Sequence, residues 1–367
     1  MDVSAFTSLY QSAGPFATVL LDVSRDSENG EHEHELRVRE AVEQLGTAGA
    51  PDDLVEGLRS RLLELPGRPA PVARLLVADP SGVLLDELAG VRADQPVVTW
   101  GPLPDLTAWI AHRDGAVTFV LAVVDHLGGD VALHDSDVPD AVEEESVGGE
   151  QRFVHKVPVG GWSALRYQHT TDNVWARNAE AVVEEVVSHV RRGHRLVLLA
   201  GDPQSRGIAR GHLEDTKAEV VELETGTRSA DGGDEALSQA VREALLEHVV
   251  ARRVALSHEL KERLGRIDSV ATGVADVADA FVRGQVETLV LDPQGSATLE
   301  LDASTHPGLV LGAITPPQPV RADLGLVAAA VLTGAEVATS PSAALGGAPV
   351  AALLRWHQDA QGTREDG

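Results

Sequence analysis

Gly160-Gly161-Trp162-Ser163-Ala164-Leu165-Arg166-Tyr167 is the stretch from which the rest of the chain is read. Adjacent glycines admit backbone angles closed to other residues, so a loop built on them can turn its N–H groups toward a ligand. An indole, a hydroxyl, a guanidinium and a phenol follow. Downstream, Trp175, Ala179, Val182, Val183, Val186 and Val190 recur at three- and four-residue spacing. That spacing predicts an amphipathic helix with one buried face. Gly-Gly alone predicts only a turn; the whole string opening onto a long helix is far more specific. The chain has five Trp and two Tyr, and Trp162, Tyr167 and Trp175 all fall here. Trp175 belongs to the buried helix face, which leaves Trp162 and Tyr167 as contact candidates. An indole stacked on a nucleobase contributes about 1–3 kcal/mol. Arg166 reads equally as a phosphate contact or as the partner of a nearby carboxylate.

The charge around this stretch departs from that of the chain. Net charge is -27 over 367 residues, which argues against broad nonspecific nucleic-acid binding. Residues 151–210 nevertheless hold nine Lys/Arg against five acids, which suits an RNA-facing segment inside an acidic protein. The competing reading is a solvated helix face. Cysteine is absent, which excludes disulfides, cysteine-ligated zinc and a thiol nucleophile. No apolar run reaches membrane-spanning length, and residues 1–14 lack the basic and apolar regions of a signal peptide, so the expected compartment is the cytoplasm. The abundance of Ala, Val, Gly and Arg beside three lysines suggests a GC-rich bacterial genome.

Outward from the loop, apolar runs and turn residues predict an α/β chain in three domains. Residues 1–113 form the first, with a strand over 17–23, helices over 31–45 and 52–65, a hairpin over 73–88 and a short helix over 106–112. Residues 114–226 form the middle domain. It has a strand over 117–124, a hairpin turn at Leu127-Gly128-Gly129-Asp130, a solvated acidic loop over 135–145, the glycine loop and its helix, and strands over 195–200 and 219–223. A Gly/Ser/Thr/Asp linker over 226–234 opens the third domain, residues 227–367. There we expect a long helix over 235–265, helices over 274–283 and 320–332, strands over 286–291, 335–338 and 350–356, and a polar end. Each domain is expected to be a mixed sheet with packed helices. No internal repeat is visible.

The glycine string resembles the catalytic loop of the class-I peptide chain release factor of eukaryotes and archaea, where two glycines and a glutamine precede Ser-Ala-Leu-Arg-Phe and a long helix. Gly160, Gly161, Ser163, Ala164, Leu165 and Arg166 match, and Tyr167 stands for the family's Phe. Trp162 stands where the glutamine should be, and an indole has one N–H donor and no acceptor. In the family, this loop enters the peptidyl transferase centre, where a backbone N–H and the glutamine help water attack peptidyl-tRNA. Two further strings follow in the family's order. Gly273-Val274-Ala275-Asp276 leads to Gly284-Gln285-Val286-Glu287, and Leu345-Gly346-Gly347-Ala348-Pro349-Val350 leads to Leu354-Arg355-Trp356. The relative Pelota shares the first of these. In the family the C-terminal domain contacts a translational GTPase. The codon-reading signals Thr-Ala-Ser and Asn-Ile-Lys-Ser are missing from residues 1–113, so stop-codon reading is not expected.

Taken together, the chain resembles the bacterial, actinobacterial branch of the release-factor and Pelota family, the Balon-like hibernation-factor group. The resemblance covers about residues 117–356. It implies a three-domain release-factor-like architecture and an RNA- and ribosome-binding set of Gly160, Gly161, Trp162, Ser163, Arg166, Tyr167, Arg191 and Arg192. The partners it implies are the rRNA of the A site and peptidyl transferase centre and, through the C-terminal domain, a translational GTPase. No cofactor, metal, membrane or DNA is expected. Three functions stand side by side. One is a noncatalytic factor that occupies the A site under stress or in hibernation. The second is a peptidyl-tRNA hydrolase using Gly160, Gly161, the Trp162 backbone N–H and Gln168. The third is an adaptor that has lost the ribosome. His32 and His34 point to different faces of a helix start and read as solvated rather than metal-ligating. His155 and His169 lack a nucleophile to complete a triad. Gly201-Asp202-Pro203 reads as a strand-end turn, since it has neither a P-loop nor a Rossmann ending.

Overall fold

The computed structural model describes residues 1–125, 128–137, 142–147, 175–225, 233–266, 269–313 and 315–356. The chain divides into two compact units, Met1–Gly115 with Val254–Gly367, and Ala116–Arg253. The second boundary falls inside one long helix.

The N-terminal part of the first unit starts with a 3-10 helix, Ser4–Gln11, and continues with β1 (Phe16–Asp22), α1 (Gly30–Thr47), α2 (Asp52–Leu63), β2 (Ala73–Asp79), β3 (Gly82–Ala89), β4 (Val97–Gly101) and α3 (Thr107–Arg113). Its sheet has the order β3-β2-β1-β4. All three pairings are antiparallel, so this sheet is not the mixed one expected of every domain. The α/β class holds; the departure follows from the tight β2–β3 turn and the absence of any crossover helix between paired parallel strands. The apolar run of β1 is explained by burial on both faces. Ala17, Val19 and Leu21 pack with Val38, Ala41, Leu58 and Leu62 of α1 and α2. Phe16 and Leu20 point the other way, into a core shared with the C-terminal segment.

The second unit contains β5 (Thr118–Asp125), β6 (Gly128–Asp135), β7 (Glu143–Val147), α4 (Trp175–Arg191), β8 (Leu196–Gly201), α5 (Pro203–Leu213), β9 (Glu219–Glu222) and the start of α6 (Gly233–Arg266). The sheet order is β7-β6-β5-β8-β9. Strands β5, β8 and β9 run parallel, and β5, β6 and β7 antiparallel, so this sheet is mixed. Two expectations are corrected here. Gly129 and Asp130 stand inside β6 rather than in the turn, because β6 already starts at Gly128 and pairs it with Asp125. Part of the acidic loop is the edge strand β7, since ladder bonds to β6 need only backbone groups and tolerate glutamates at an edge.

The C-terminal part of the first unit holds β10 (Val270–Thr272), α7 (Val274–Val282), β11 (Val286–Leu291), α8 (Pro293–Ser296), β12 (Glu300–Leu301), β13 (Val320–Arg321), α9 (Ala322–Thr333), β14 (Glu336–Thr339) and β15 (Val350–Leu354). Its main sheet, β10-β15-β11-β14, is mixed: only β11–β14 is parallel. Helix α9 is buried almost all round and lies at the centre of the shared core, with Leu326, Val327 and Val331 in one cluster with Phe6, Leu20 and Leu75. Polar links join the N- and C-terminal segments of this unit. Arg321 donates to Asp105 at 2.7 Å, Thr339 Oγ1 donates to Asp114 at 3.0 Å, and the Val337 N–H donates to the Met1 carbonyl at 3.0 Å.

Candidate RNA-facing region of the middle unit

The middle unit is built around β5, whose residues point alternately to two buried faces. Val120, Ala122 and Val124 pack with Val131 and Leu133 of β6 and with Val182, Val183, Val186 and Val190 of α4. Phe119 and Leu121 pack with Leu196 and Leu198 of β8 and with Val241 and Leu245 of α6. The predicted valine face of α4 is therefore the buried one. Trp175 and Ala179 head that helix, and their side chains lie outside the described ones. Close approach of α4 to the sheet depends on Gly129, where a Cβ would stand 2.6 Å from the Val123 carbonyl and 3.2 Å from Val182.

Gly160, Gly161, Trp162, Ser163, Arg166, Tyr167 and Gln168 lie outside the described residues, as do His155 and His169. In sequence they fall between β7 and α4. Of the predicted binding set, Arg191 and Arg192 are described. Both are exposed at the C-terminal end of α4, where cations also complement the helix dipole. Arg192 is engaged: its NH1 donates to Glu143 Oε2 of β7 at 2.8 Å, and its NH2 donates to His189 Nδ1 at 2.8 Å. His189 is buried, with Glu185 Oε1 3.5 Å from its Nε2 and the His194 ring centroid 6.3 Å away. Burial lowers the His189 pKa, and the Arg192 charge adds to the effect. A neutral ring with its proton on Nε2 is the form that accepts from Arg192.

Other cations of the basic segment have structural partners. Arg206 is buried and donates to the Leu223 carbonyl at 2.7 Å, and Arg210 donates to Glu222 at 2.5 Å. The basic balance of residues 151–210 thus overstates the positive surface available for phosphate. Asp202, read as a strand-end turn, is the N-cap of α5 and accepts from the Gln204 and Ser205 N–H groups at 3.1 Å. An Asp before a Pro at the first helical position is the signal that would have found α5. His134 stacks on Phe119 with ring centroids 5.3 Å apart, and burial pushes its pKa down to about 4. The Asp130 side chain is buried on the same strand. His34, expected to be solvated, is instead buried under α2 with Nε2 3.0 Å from the Leu62 carbonyl.

A family model for bacterial archaeo-eukaryotic release factor family 2 matches residues 118–266, from β5 through α6. The match includes the whole Gly-Gly-Trp stretch. Residues 118–266 are release-factor-like in sequence. A pelota homolog of Natronomonas pharaonis is 28% identical over 168 residues, covering 44% of this chain and 46% of that protein. An uncharacterized protein of Mycobacterium tuberculosis is 26% identical over 297 residues, covering 79% of this chain and 78% of its own length. Among solved structures, S. cerevisiae Dom34, described as a translation termination-like factor interacting with Hbs1, is 10% identical, with coverage of 96% and 91% and a TM-score of 0.43. Archaeal Pelota, in a ribosome-bound model with ABCE1, is 15% identical, with coverage of 97% and 95% and a TM-score of 0.41. Among the described residues, no helix is long and apolar enough to cross a membrane.

Proposed function

We propose that this protein is a ribosome-binding translation factor. It occupies the A site during stress or hibernation, directs the Gly160-Gly161-Trp162 loop toward the peptidyl transferase centre, and does not read stop codons. The observation that carries this reading is the release-factor family match over residues 118–266, a span whose loop keeps both glycines but has Trp162 at the glutamine position. An indole cannot accept a hydrogen bond from water as an amide oxygen does, but it offers a broad apolar face for a base. The loop then works as a plug. The contact set is Gly160, Gly161, Trp162, Ser163, Arg166, Tyr167, Arg191 and Arg192, against rRNA of the A site and peptidyl transferase centre. The C-terminal domain supplies the surface for a translational GTPase.

One feature favours a second reading, hydrolysis of peptidyl-tRNA in ribosome rescue: both loop glycines are kept, and Gln168 lies six residues beyond Trp162. Release of labelled peptide from stalled ribosomes separates the two. The plug predicts no release by wild type, weaker binding by Trp162→Ala, and some release by Trp162→Gln. Substantial release by wild type, slowed in Gln168→Ala, establishes the hydrolase instead. Absence from ribosome fractions of starved cells at every salt concentration removes both and leaves an adaptor, in keeping with the net charge of -27.

A further inference from the structure

Arg191 and Arg192 are neighbours at one helix end, yet Arg192 alone is held by the acidic edge strand. Strand β7 places Glu143 opposite Leu133 and Glu145 opposite Val131, so these two glutamates project to the same side of the sheet. Glu143 takes one arm of the Arg192 guanidinium at 2.8 Å, and His189, buried beneath, takes the other. Glu145 adds negative charge near His189 from the same strand. The two sides of the ion pair differ in how they are fixed. Arg192 is anchored through a buried imidazole on α4, whereas Glu143 sits on a five-residue edge strand that, among the described residues, pairs with β6 alone. Both charged side chains are about half exposed, 44% for Arg192 and 52% for Glu143. An exposed pair of this kind is weak and displaceable. A phosphate offers the same fork-shaped acceptor geometry as a carboxylate, with more charge.

We propose that β7 is a built-in competitor for RNA phosphate: Glu143 occupies the guanidinium of Arg192 in the free protein, and binding of a phosphate backbone displaces it. The inference rests on the ribosome-binding reading and adds an autoinhibitory contact to it. The anchored His189–Arg192 half stays in place, and the strand-borne carboxylate yields. An acidic protein gains from such a contact, because the cation is presented to an acceptor strong enough to displace Glu143 and screened from weaker anions.

The test is binding of the full chain to purified 70S ribosomes across a salt series, with wild type, Glu143→Gln, Glu144→Gln, Arg192→Ala and the double variant Glu143→Gln/Arg192→Ala. Glu143→Gln is expected to tighten binding about two- to fivefold. The gain should vanish in the Arg192→Ala background. Glu144→Gln changes net charge equally from the opposite face of β7 and is expected to give a smaller gain. Equal gains from the two glutamate variants, a gain that survives Arg192→Ala, or no gain at all would overturn the proposal while wild-type binding keeps the parent reading. Failure of every variant and of wild type to bind would remove the parent reading and the inference with it. Circular dichroism of each variant, matching wild type, ties the outcome to the contact and not to misfolding.

Discussion

A Cβ at position 201 would fall 1.8 Å from the Val124 carbonyl, and the backbone there has φ +116. Gly201 ends β8 beside β5, so Gly201→Ala is both strained and overpacked. It is expected to cost about 3 kcal/mol or more in a denaturant titration of the middle unit. Stability close to wild type would show that the two strand ends do not meet as described. His134 makes the same unit acid-sensitive. Its ring stays neutral down to about pH 4, whereas an unfolded chain protonates it near 6.5. The unfolded state therefore binds the proton first. The contribution is complete above pH 6.5 and is lost as pH falls through 4, about 3 kcal/mol in all. His189, also lowered by burial, acts in the same direction. Thermal melts of His134→Phe over this range should show a shallower acid slope than wild type; an unchanged slope would assign the acid sensitivity elsewhere. At this scale the sequence is legible only where a residue type has one use. Trp162 is conspicuous because an indole replaces an amide in a family string. His134 was not singled out, because nothing in the alternation of β6 distinguishes a buried imidazole from a solvated one.

Helix α4 shows how much of an element periodicity reveals. The three- and four-residue spacing of its valines identified the face that packs on β5 and β6, since burial and spacing are the same fact seen twice. Strand β7 was missed for the complementary reason. Glu143-Glu144-Glu145 has no apolar alternation, and its place in the sheet comes from backbone pairing with β6. Strand β4 was missed as well, although Val97 and Val98 mark it, because its partner β1 lies far upstream in sequence. Helix α5 depends on a local device. Asp202 satisfies two N–H groups at its start, so Asp202→Ala is expected to lower stability by about 1 kcal/mol, with Asp202→Ser close to wild type. An alanine variant as stable as wild type would show that the cap contributes nothing.

For the whole molecule, the order of strands and helices was readable, but which segments share a core was not. Residues 1–115 and 254–367 pack as one unit through contacts more than two hundred residues apart in sequence, and no local pattern records such pairing. Arg321 is the polar centre of that union, held between Asp105 and the fully buried Asp323. Burial raises the Asp105 pKa against the pull of Arg321, and the Asp323 charge adds to the rise. Arg321→Ala leaves two buried carboxylates without their cation and is expected to cost about 3 kcal/mol. Asp105→Asn, which removes a charge that burial disfavours, should cost clearly less at neutral pH. Equal losses in the two variants would contradict this account. We propose that three segments with cuts near 113 and 227 are the units of limited proteolysis, with the first nicks in residues 135–149 and 226–234. Early cleavage inside α4 would contradict that division. The central claim, however, is that the Gly160-Gly161-Trp162 loop faces the peptidyl transferase centre of a bound ribosome. Its most direct test is a photo-crosslinking amino acid at position 162, activated on ribosomes from starved cells, with the crosslinked RNA sequenced. Crosslinks clustered in large-subunit rRNA of the peptidyl transferase centre are the expected result; a protein that sediments with ribosomes but crosslinks from position 162 only elsewhere contradicts the claim.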